Sequence, residues 1–106
     1  MDTTAVVIAD ISGVIRFWSA GAERAFGHTV REAVGQTLDL IVPPDFRTAH
    51  WAGFRRAMAS GSAGVEGKTS AFPVLEASGR IRNASGKLTL IRSGDGGVIG
   101  GMVIFG

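Results

Sequence analysis

The sequence contains no cysteine and no tyrosine, and only three of its 106 residues are proline. Without cysteine the chain can form no disulfide, no thiolate nucleophile and no covalent link between a thiol and a cofactor. No apolar run approaches the ~20 residues of a transmembrane helix, and the N-terminus lacks the basic and long apolar segments of a signal peptide. We therefore expect no membrane span within this segment and a cytoplasmic location.

The chain also has little net charge, only +2 at pH 7. Its basic residues are scattered, with Arg47, Arg55 and Arg56 on one segment and Arg80, Arg82 and Lys87 on another. A nucleic-acid-binding domain carries a denser basic patch interleaved with aromatic side chains, and the six phenylalanines here are expected in the core. We therefore predict that the chain binds no nucleic acid.

Motifs that assemble a catalytic site are also missing. The glycine-rich stretch at residues 94–97 lacks the GxxxxGK[ST] pattern and leads into an apolar run, so a hairpin is favoured over a phosphate loop. Asp10, Asp39 and Asp45 do not have metal-ligand spacing, and no serine lies in a GxSxG or triad context. We therefore predict that the chain is not an enzyme.

The sequence does contain enough apolar residues for one core. Hydrophobic residues make up 45% of the chain, and its length matches one domain of ordinary size. We therefore predict a single domain over residues 1–106. Within it, apolar β-branched runs predict a first hairpin from residues 5–10 and 14–18. Ser19 caps a short helix, and Thr29 caps a second one through a capping box with Glu32.

The longest helix is bounded by Pro44 and Gly61, which are typical of a helix start and a helix end. Beyond it the pattern predicts strands at residues 67–76, at 81–91 and at 98–105. Pro73 suggests an edge or a bulge in the first of these, and a bulge is predicted at 85–86 in the second. The predicted fold class is α+β, with one five-stranded antiparallel sheet and with several short helices and one longer helix on one face.

One face of the longest helix carries Phe46, His50, Phe54 and Met58, which are spaced four residues apart. A histidine on an apolar helix face is more often a packed core residue than a ligand, and the spacing leaves both alternatives open. His28 follows a glycine that ends a helix, and it is expected in a solvated loop.

The order of these elements and two stretches of sequence resemble the PAS family. The stretch ADISGVIRFWSAGAERAFGHTVREAVGQTLDLIVPP is similar to the first half of a PAS domain, and GDGGVIGGMVIFG is similar to its final hairpin. The resemblance covers nearly the whole chain, although the Asp-x-Thr that usually trails the last strand is missing. It implies a sensory input module that signals to an output domain absent from this chain, and it implies a homodimer.

The segment around His50 resembles the haem-binding segment of FixL-type oxygen sensors. In those sensors the proximal histidine lies in a Pro-x-x-(aromatic)-Arg-x-x-His segment, followed eight residues later by Met-Ala-Thr-Gly. Here the segment runs from Pro43 to His50, and Met58 begins a Met-Ala-Ser-Gly sequence. The resemblance implies haem b as the cofactor, with His50 as its metal ligand and Arg56 beside a propionate.

The same resemblance and the strand order imply the other residues of the site. The predicted cofactor-binding residues are His50, Arg56, Phe46, Phe54, Val65, Leu88, Leu90, Met102 and Ile104. Met102 is a less favoured candidate for the sixth iron ligand. The arginine that contacts bound oxygen in FixL-type sensors aligns near Ser70, close to Lys68, so the sequence leaves the gas undetermined.

Two functions remain open at this point. In the first, the chain is a haem-based gas or redox sensor whose signal is a diatomic gas. In the second, it is a haem-free PAS domain that acts in dimerisation or in binding a small metabolite, with the outer face of the sheet as its working surface. His50 would then be a structural residue.

Overall fold

The centre of the fold is a five-stranded sheet, seen in a computed structural model that describes residues 4–106. Its strands are β1 (Ala5–Asp10), β2 (Ile15–Trp18), β3 (Thr69–Leu75), β4 (Ile81–Arg92) and β5 (Val98–Phe105). Their order across the sheet is β2-β1-β5-β4-β3, and every neighbouring pair is antiparallel. The last strand therefore lies in the middle, beside the first. The predicted α+β class and the five-stranded antiparallel sheet are confirmed.

The helices all lie between β2 and β3 along the chain. They are α1 (Ala20–Phe26), α2 (Val30–Ala33), α3 (Arg47–Ser60) and two 3₁₀ turns, Leu38–Leu40 and Pro44–Phe46. The predicted caps are present, because the Ser19 side chain accepts from the Ala22 amide and Thr29 forms its capping box with Glu32. The predicted longest helix starts with a 3₁₀ turn, since the Phe46 amide donates to the Pro43 carbonyl three residues back.

The pairing register decides which side chains face the helices. Val7 of β1 is paired with Val103 of β5, which is paired in turn with Leu88 of β4, and these side chains point to the inner face. Neighbouring residues along a strand alternate between faces. Ile8 and Met102, which form the next pair, therefore point to the outer face.

Two separate apolar clusters fill the inner side of the sheet. The larger one packs α1 onto the sheet, with the Phe26 ring 5.1 Å from the Phe105 ring between centroids. The smaller one lies under the C-terminal half of α3 and contains Ala57, Leu90 and Val98. Space remains between the two clusters, beneath α3.

Two details of the strands differ from the prediction. The bulge expected at residues 85–86 is absent, and β4 is irregular at Ile91/Arg92 instead. Gly86 pairs in register on both sides, and its lack of a side chain has another reason. A Cβ there would lie 3.1 Å from the Phe105 ring, so glycine gives that ring room. The β3 strand begins at Thr69 rather than at residue 67.

The segment that follows α3 covers the part of the β4 edge that β3 leaves unpaired. Pairing of β3 with β4 extends only to Lys87. Beyond it, Glu66 forms a parallel bridge with Leu88, and the Gly67 amide donates to the Leu88 carbonyl over 2.9 Å. The Leu90 amide donates to Oε2 of Glu66 over 2.9 Å. At this edge of β4 a loop therefore takes the place of a further strand. Its contacts with β4 hold the loop over the inner face of the sheet.

Candidate functional site

A cavity of about 860 Å³ lies between α3 and the inner face of the sheet. The 3₁₀ turn before the helix contributes Phe46, the helix contributes His50, Phe54 and Ala57, and the sheet contributes Val7, Leu88, Leu90 and Val103. Almost all of the lining is apolar. The polar side chains on it are those of His50, Arg56, Ser60 and Ser62. The cavity is therefore suited to an apolar ligand with a few polar groups.

His50 lies in the first turn of α3, where its ring packs against two aromatic rings that also contact each other. Its ring is 4.8 Å from the Trp51 ring and 6.0 Å from the Phe54 ring between centroids. Its Nδ1 is buried and has no hydrogen-bond partner among the described residues. Burial lowers the pKa of His50 below its usual 6.5, and the charge of Asp39 opposes that shift. The neutral ring that results keeps one nitrogen unprotonated, which is the form of histidine that binds a metal.

Trp51 connects α3 to two other elements. Its Nε1 donates a 2.7 Å hydrogen bond to Oδ1 of Asp39, and Nε of Arg47 lies 3.7 Å from the same oxygen. The far edge of its indole ring rests on Gly13, where any side chain would overlap the ring. The residue next to His50 is thus held by the Leu38–Leu40 turn and by the β1–β2 turn.

The structure brings most of the predicted site residues to this cavity. The residues that line it as predicted are His50, Arg56, Phe46, Phe54, Val65, Leu88 and Leu90. Val65 lies on the segment after α3 and is also exposed to solvent. That these seven residues contact a cofactor stays a prediction.

Met102 and Ile104 were expected on the sheet wall, and the structure corrects this. Both lie on the outer face, because Met102 is paired with Ile8 and Ile104 with Val6. Gly101 and Val103 line the cavity in their place. Met102 therefore faces away from the cavity, in a position where it cannot be the sixth ligand of an iron held inside.

The prediction also missed Val7, Gly101, Asp39 and Trp51 as residues of the site or of its support. Burial alternates strictly along β1 in the structure, but the sequence AVVIA is apolar throughout and so offers no signal for Val7. No signal exists for Gly101 either, because β5 is apolar or glycine on both faces. The bond of Trp51 to Asp39 depends on tertiary structure alone.

The outer face of the sheet carries an apolar patch. The outer patch consists of Val6, Ile8, Phe17, Met102 and Ile104, which are neighbours through the pairings of β1 with β2 and β5. Phe17 is 47% exposed and Ile104 is 40% exposed. An exposed apolar surface on a sheet face is typical of a protein contact.

The described part of the chain holds no other candidate metal site. Among residues 4–106, no three histidine, aspartate or glutamate side chains come together as a ligand group. No helix in that same range is long and apolar enough to cross a membrane.

Comparison with known proteins agrees with this architecture. The family model described as the PAS fold matches residues 3–105. Sensor protein FixL of Bradyrhizobium diazoefficiens is 37% identical over 46 residues, which cover 43% of this chain and 9% of FixL. Oxygen sensor protein DosP of Escherichia coli is 31% identical over 61 residues, which cover 58% of this chain and 8% of DosP. The chain thus matches only a small part of each relative.

A solved structure shows the same fold at low identity. The RpfR quorum-sensing receptor PAS domain of Cronobacter turicensis, in complex with C12:0, superposes with a TM-score of 0.77 and 17% identity. The match covers 99% of this chain and 93% of that one.

Proposed function

The chain belongs to the PAS fold family, whose domains are sensory, and from this premise we propose that it is a haem-based gas or redox sensor with His50 as the proximal iron ligand. The observation that carries the proposal is the position of His50. It is a neutral histidine with an unpartnered ring nitrogen, and it lines a large apolar cavity. The names of FixL and DosP as sensors, the latter of oxygen, support the same interpretation.

The residues present fit haem b. Haem requires an axial nitrogen and an apolar slot, and the porphyrin supplies the equatorial ligands. His50 would supply the axial nitrogen, and Phe46 and Phe54 would pack beside it. The cavity volume lies within the ~300–1,000 Å³ of typical ligand sites. Arg56 is exposed and lines the cavity, so its guanidinium would hold a propionate at the mouth.

Haem would supply an iron site for a diatomic gas. The protein's own residues would exclude water and transmit the signal. The apolar side chains of the sheet wall, such as Leu88 and Val103, would exclude water from that site. These residues belong to β4 and β5, so a change at the wall would move the central strands. The last strand would then pass the change to an output domain of a longer protein.

The absorption spectrum of the protein, as purified and after addition of haemin, tests this proposal. We expect a Soret band that His50→Ala abolishes and that His28→Ala leaves unchanged. His28 is the matched control because it is the other histidine of the chain and does not line the cavity. A colourless protein that ignores haemin would contradict the proposal, as would equal spectra for the two variants.

A haem-free role in binding a small apolar acid is the second candidate. The observation in its favour is the combination of a mostly apolar cavity with one arginine, together with the RpfR complex with C12:0. An apolar chain would lie between α3 and the sheet, and Arg56 would pair with the carboxylate. Lauric acid should then raise the melting temperature by linkage, and Arg56→Ala should reduce that rise. A shift with lauric acid and no haemin band would favour this candidate.

The outer patch supports a homodimer, which is compatible with either ligand. If two copies meet through it, Ile104→Glu should convert a dimer into a monomer in size-exclusion chromatography. Ile11→Glu is the control, since Ile11 is 53% exposed and lies outside the patch. A wild-type monomer at high concentration would contradict the homodimer.

The predicted boundary of one domain over residues 1–106 and the cytoplasmic location remain predictions; residues 1–3 lie outside the described part.

A further inference from the structure

The segment at residues 61–68, here called the covering loop, forms one wall of the cavity. Its residues 62–65 line the cavity, and Val65 is also 44% exposed to solvent. The loop begins and nearly ends with glycines in the left-handed conformation, Gly61 at a φ of 76° and Gly67 at 78°. Ser62 and Gly64 also line the cavity and are exposed, so the loop lies between this part of the cavity and solvent.

Arg92 of β4 contacts both ends of the covering loop. Its Nη2 donates to the Gly61 carbonyl over 3.1 Å and to Oε1 of Glu66 over 3.0 Å. Its Nη1 donates to Oε2 of Glu66 over 3.1 Å, so the ion pair is bidentate. Glu66 is fixed in turn, because its Oε2 also accepts from the Leu90 amide. One side chain thus ties two points of the loop that are five residues apart.

We propose that Arg92 and Glu66 form a clasp that holds the covering loop closed over the cavity and so sets the rate at which a ligand enters and leaves. The proposal rests on the proposed function only in that the cavity binds a ligand. Neither residue lines the cavity, so both are positioning residues rather than ligand contacts. Without Arg92, the loop is still attached to β4 by the Glu66–Leu88 bridge, by the Gly67 amide bond to Leu88 and by the Leu90 amide bond to Glu66, while Ala63 packs on the smaller cluster.

The rate of haemin transfer from the loaded protein to excess apomyoglobin tests whether the clasp limits ligand release. We expect Arg92→Ala to raise that rate roughly fivefold to tenfold, since it removes charge-assisted hydrogen bonds from an exposed loop. The affinity for haemin should change less, because uptake and release both become faster. Arg16→Ala is the matched control, as Arg16 forms a 2.8 Å surface ion pair with Asp10 and does not line the cavity.

Equal transfer rates for Arg92→Ala and Arg16→Ala would overturn the clasp. If Arg92→Ala does not fold, Arg92→Lys replaces it, because lysine keeps the charge but cannot form the bidentate pair. We expect its transfer rate to lie between those of the wild type and a fully opened loop. A transfer rate for Arg92→Lys equal to that of the wild type would then count against the proposal.

Hydrogen exchange of the ligand-free protein separates a failure of the clasp from a failure of haem binding. If the wild type takes up no haemin, the haem proposal fails. The hydrogen-exchange rates of the loop amides then test the clasp on their own. We expect Arg92→Ala to raise exchange at residues 62–67 roughly tenfold while amides of β1 keep their protection. Unchanged exchange in the loop would overturn the clasp, as would an equal rise in β1.

Discussion

Nε1 of Trp51 lies 2.7 Å from Oδ1 of Asp39 and donates a hydrogen bond to it. This bond joins the residue that follows His50 to the Leu38–Leu40 turn, twelve residues earlier in the chain. The opposite edge of the indole ring rests on Gly13. Two contacts outside α3 therefore fix the ring that packs edge-on against His50.

Loss of this hydrogen bond should loosen the site as well as the fold. Trp51→Phe keeps an aromatic ring but removes the donor, and we expect unfolding by urea to show a loss of about 1–2 kcal/mol. Asp39→Asn is the control, because the asparagine side-chain oxygen still accepts the bond. A double-mutant cycle with Asp39→Ala isolates the pair. A coupling energy near zero would show that the bond contributes nothing.

Gly13 is required for two separate reasons, which two variants can distinguish. Its φ is +80°, and a Cβ would overlap the Trp51 ring. Gly35 has a φ of +96° with no atom within 4 Å of such a Cβ. Gly35→Ala should therefore cost only backbone strain, about 1–2 kcal/mol, whereas Gly13→Ala should cost more and also shift the tryptophan fluorescence. Equal losses of unfolding free energy would exclude a steric role for Trp51.

The stability of the ligand-free protein should depend on pH through His50. Burial places the folded-state pKa of His50 below 6.5, so the unfolded chain takes up a proton at a higher pH than the folded chain. The free energy of unfolding should then fall as the pH drops below about 6.5, until the folded state is protonated as well.

Urea unfolding between pH 7.5 and 5 checks this dependence. His50→Gln should flatten the curve in that range, because glutamine does not take up a proton there. Glu66 affects the stability in a separate, lower pH range, since the Arg92 guanidinium lowers its pKa below 4.5. Its contribution is present above pH 4.5 and is lost as the pH falls through that lower pKa. A slope that persists in His50→Gln would contradict the assignment.

The sequence was sufficient for most of the fold because the signals that bound its elements are local. Ser19, Thr29 and Gly61 each end or begin a helix through bonds to residues at most four positions away. The four-residue spacing of Phe46, His50 and Phe54 likewise gave the helix wall of the cavity, since helix geometry alone puts them on one face.

The sheet wall could not be predicted in the same way. The sequence of β5, VIGGMVIF, is apolar or glycine at every position, so its pattern does not say which residues face inward. Pairing with β1, more than 90 positions earlier in the chain, sets that direction. The clasp of Arg92 and the bond of Trp51 are also long-range contacts between polar atoms, which no spacing rule predicts.

Substitutions at two adjacent residues of β5 test the inner and outer faces directly. Val103 lines the cavity, whereas Ile104 is 40% exposed on the outer face. Val103→Phe would place a larger ring in the cavity, so we expect it to abolish the uptake of haemin or of lauric acid. It should destabilise the fold less than the same change at a fully buried residue, because Val103 is only partly buried against the larger cluster and also lines the cavity.

Ile104→Phe is the matched control for Val103→Phe, because it adds a phenyl ring to the same strand on the opposite face. We expect it to leave ligand uptake unchanged and to alter only the outer patch. Met102→Ala should likewise leave the spectrum of the loaded protein unaffected, since Met102 is paired with Ile8 on the outer face. Titration of each variant with haemin, followed by absorption, measures all three. If Ile104→Phe blocked uptake while Val103→Phe did not, the ligand would have to bind on the outer face, and the cavity beneath α3 would not be the site.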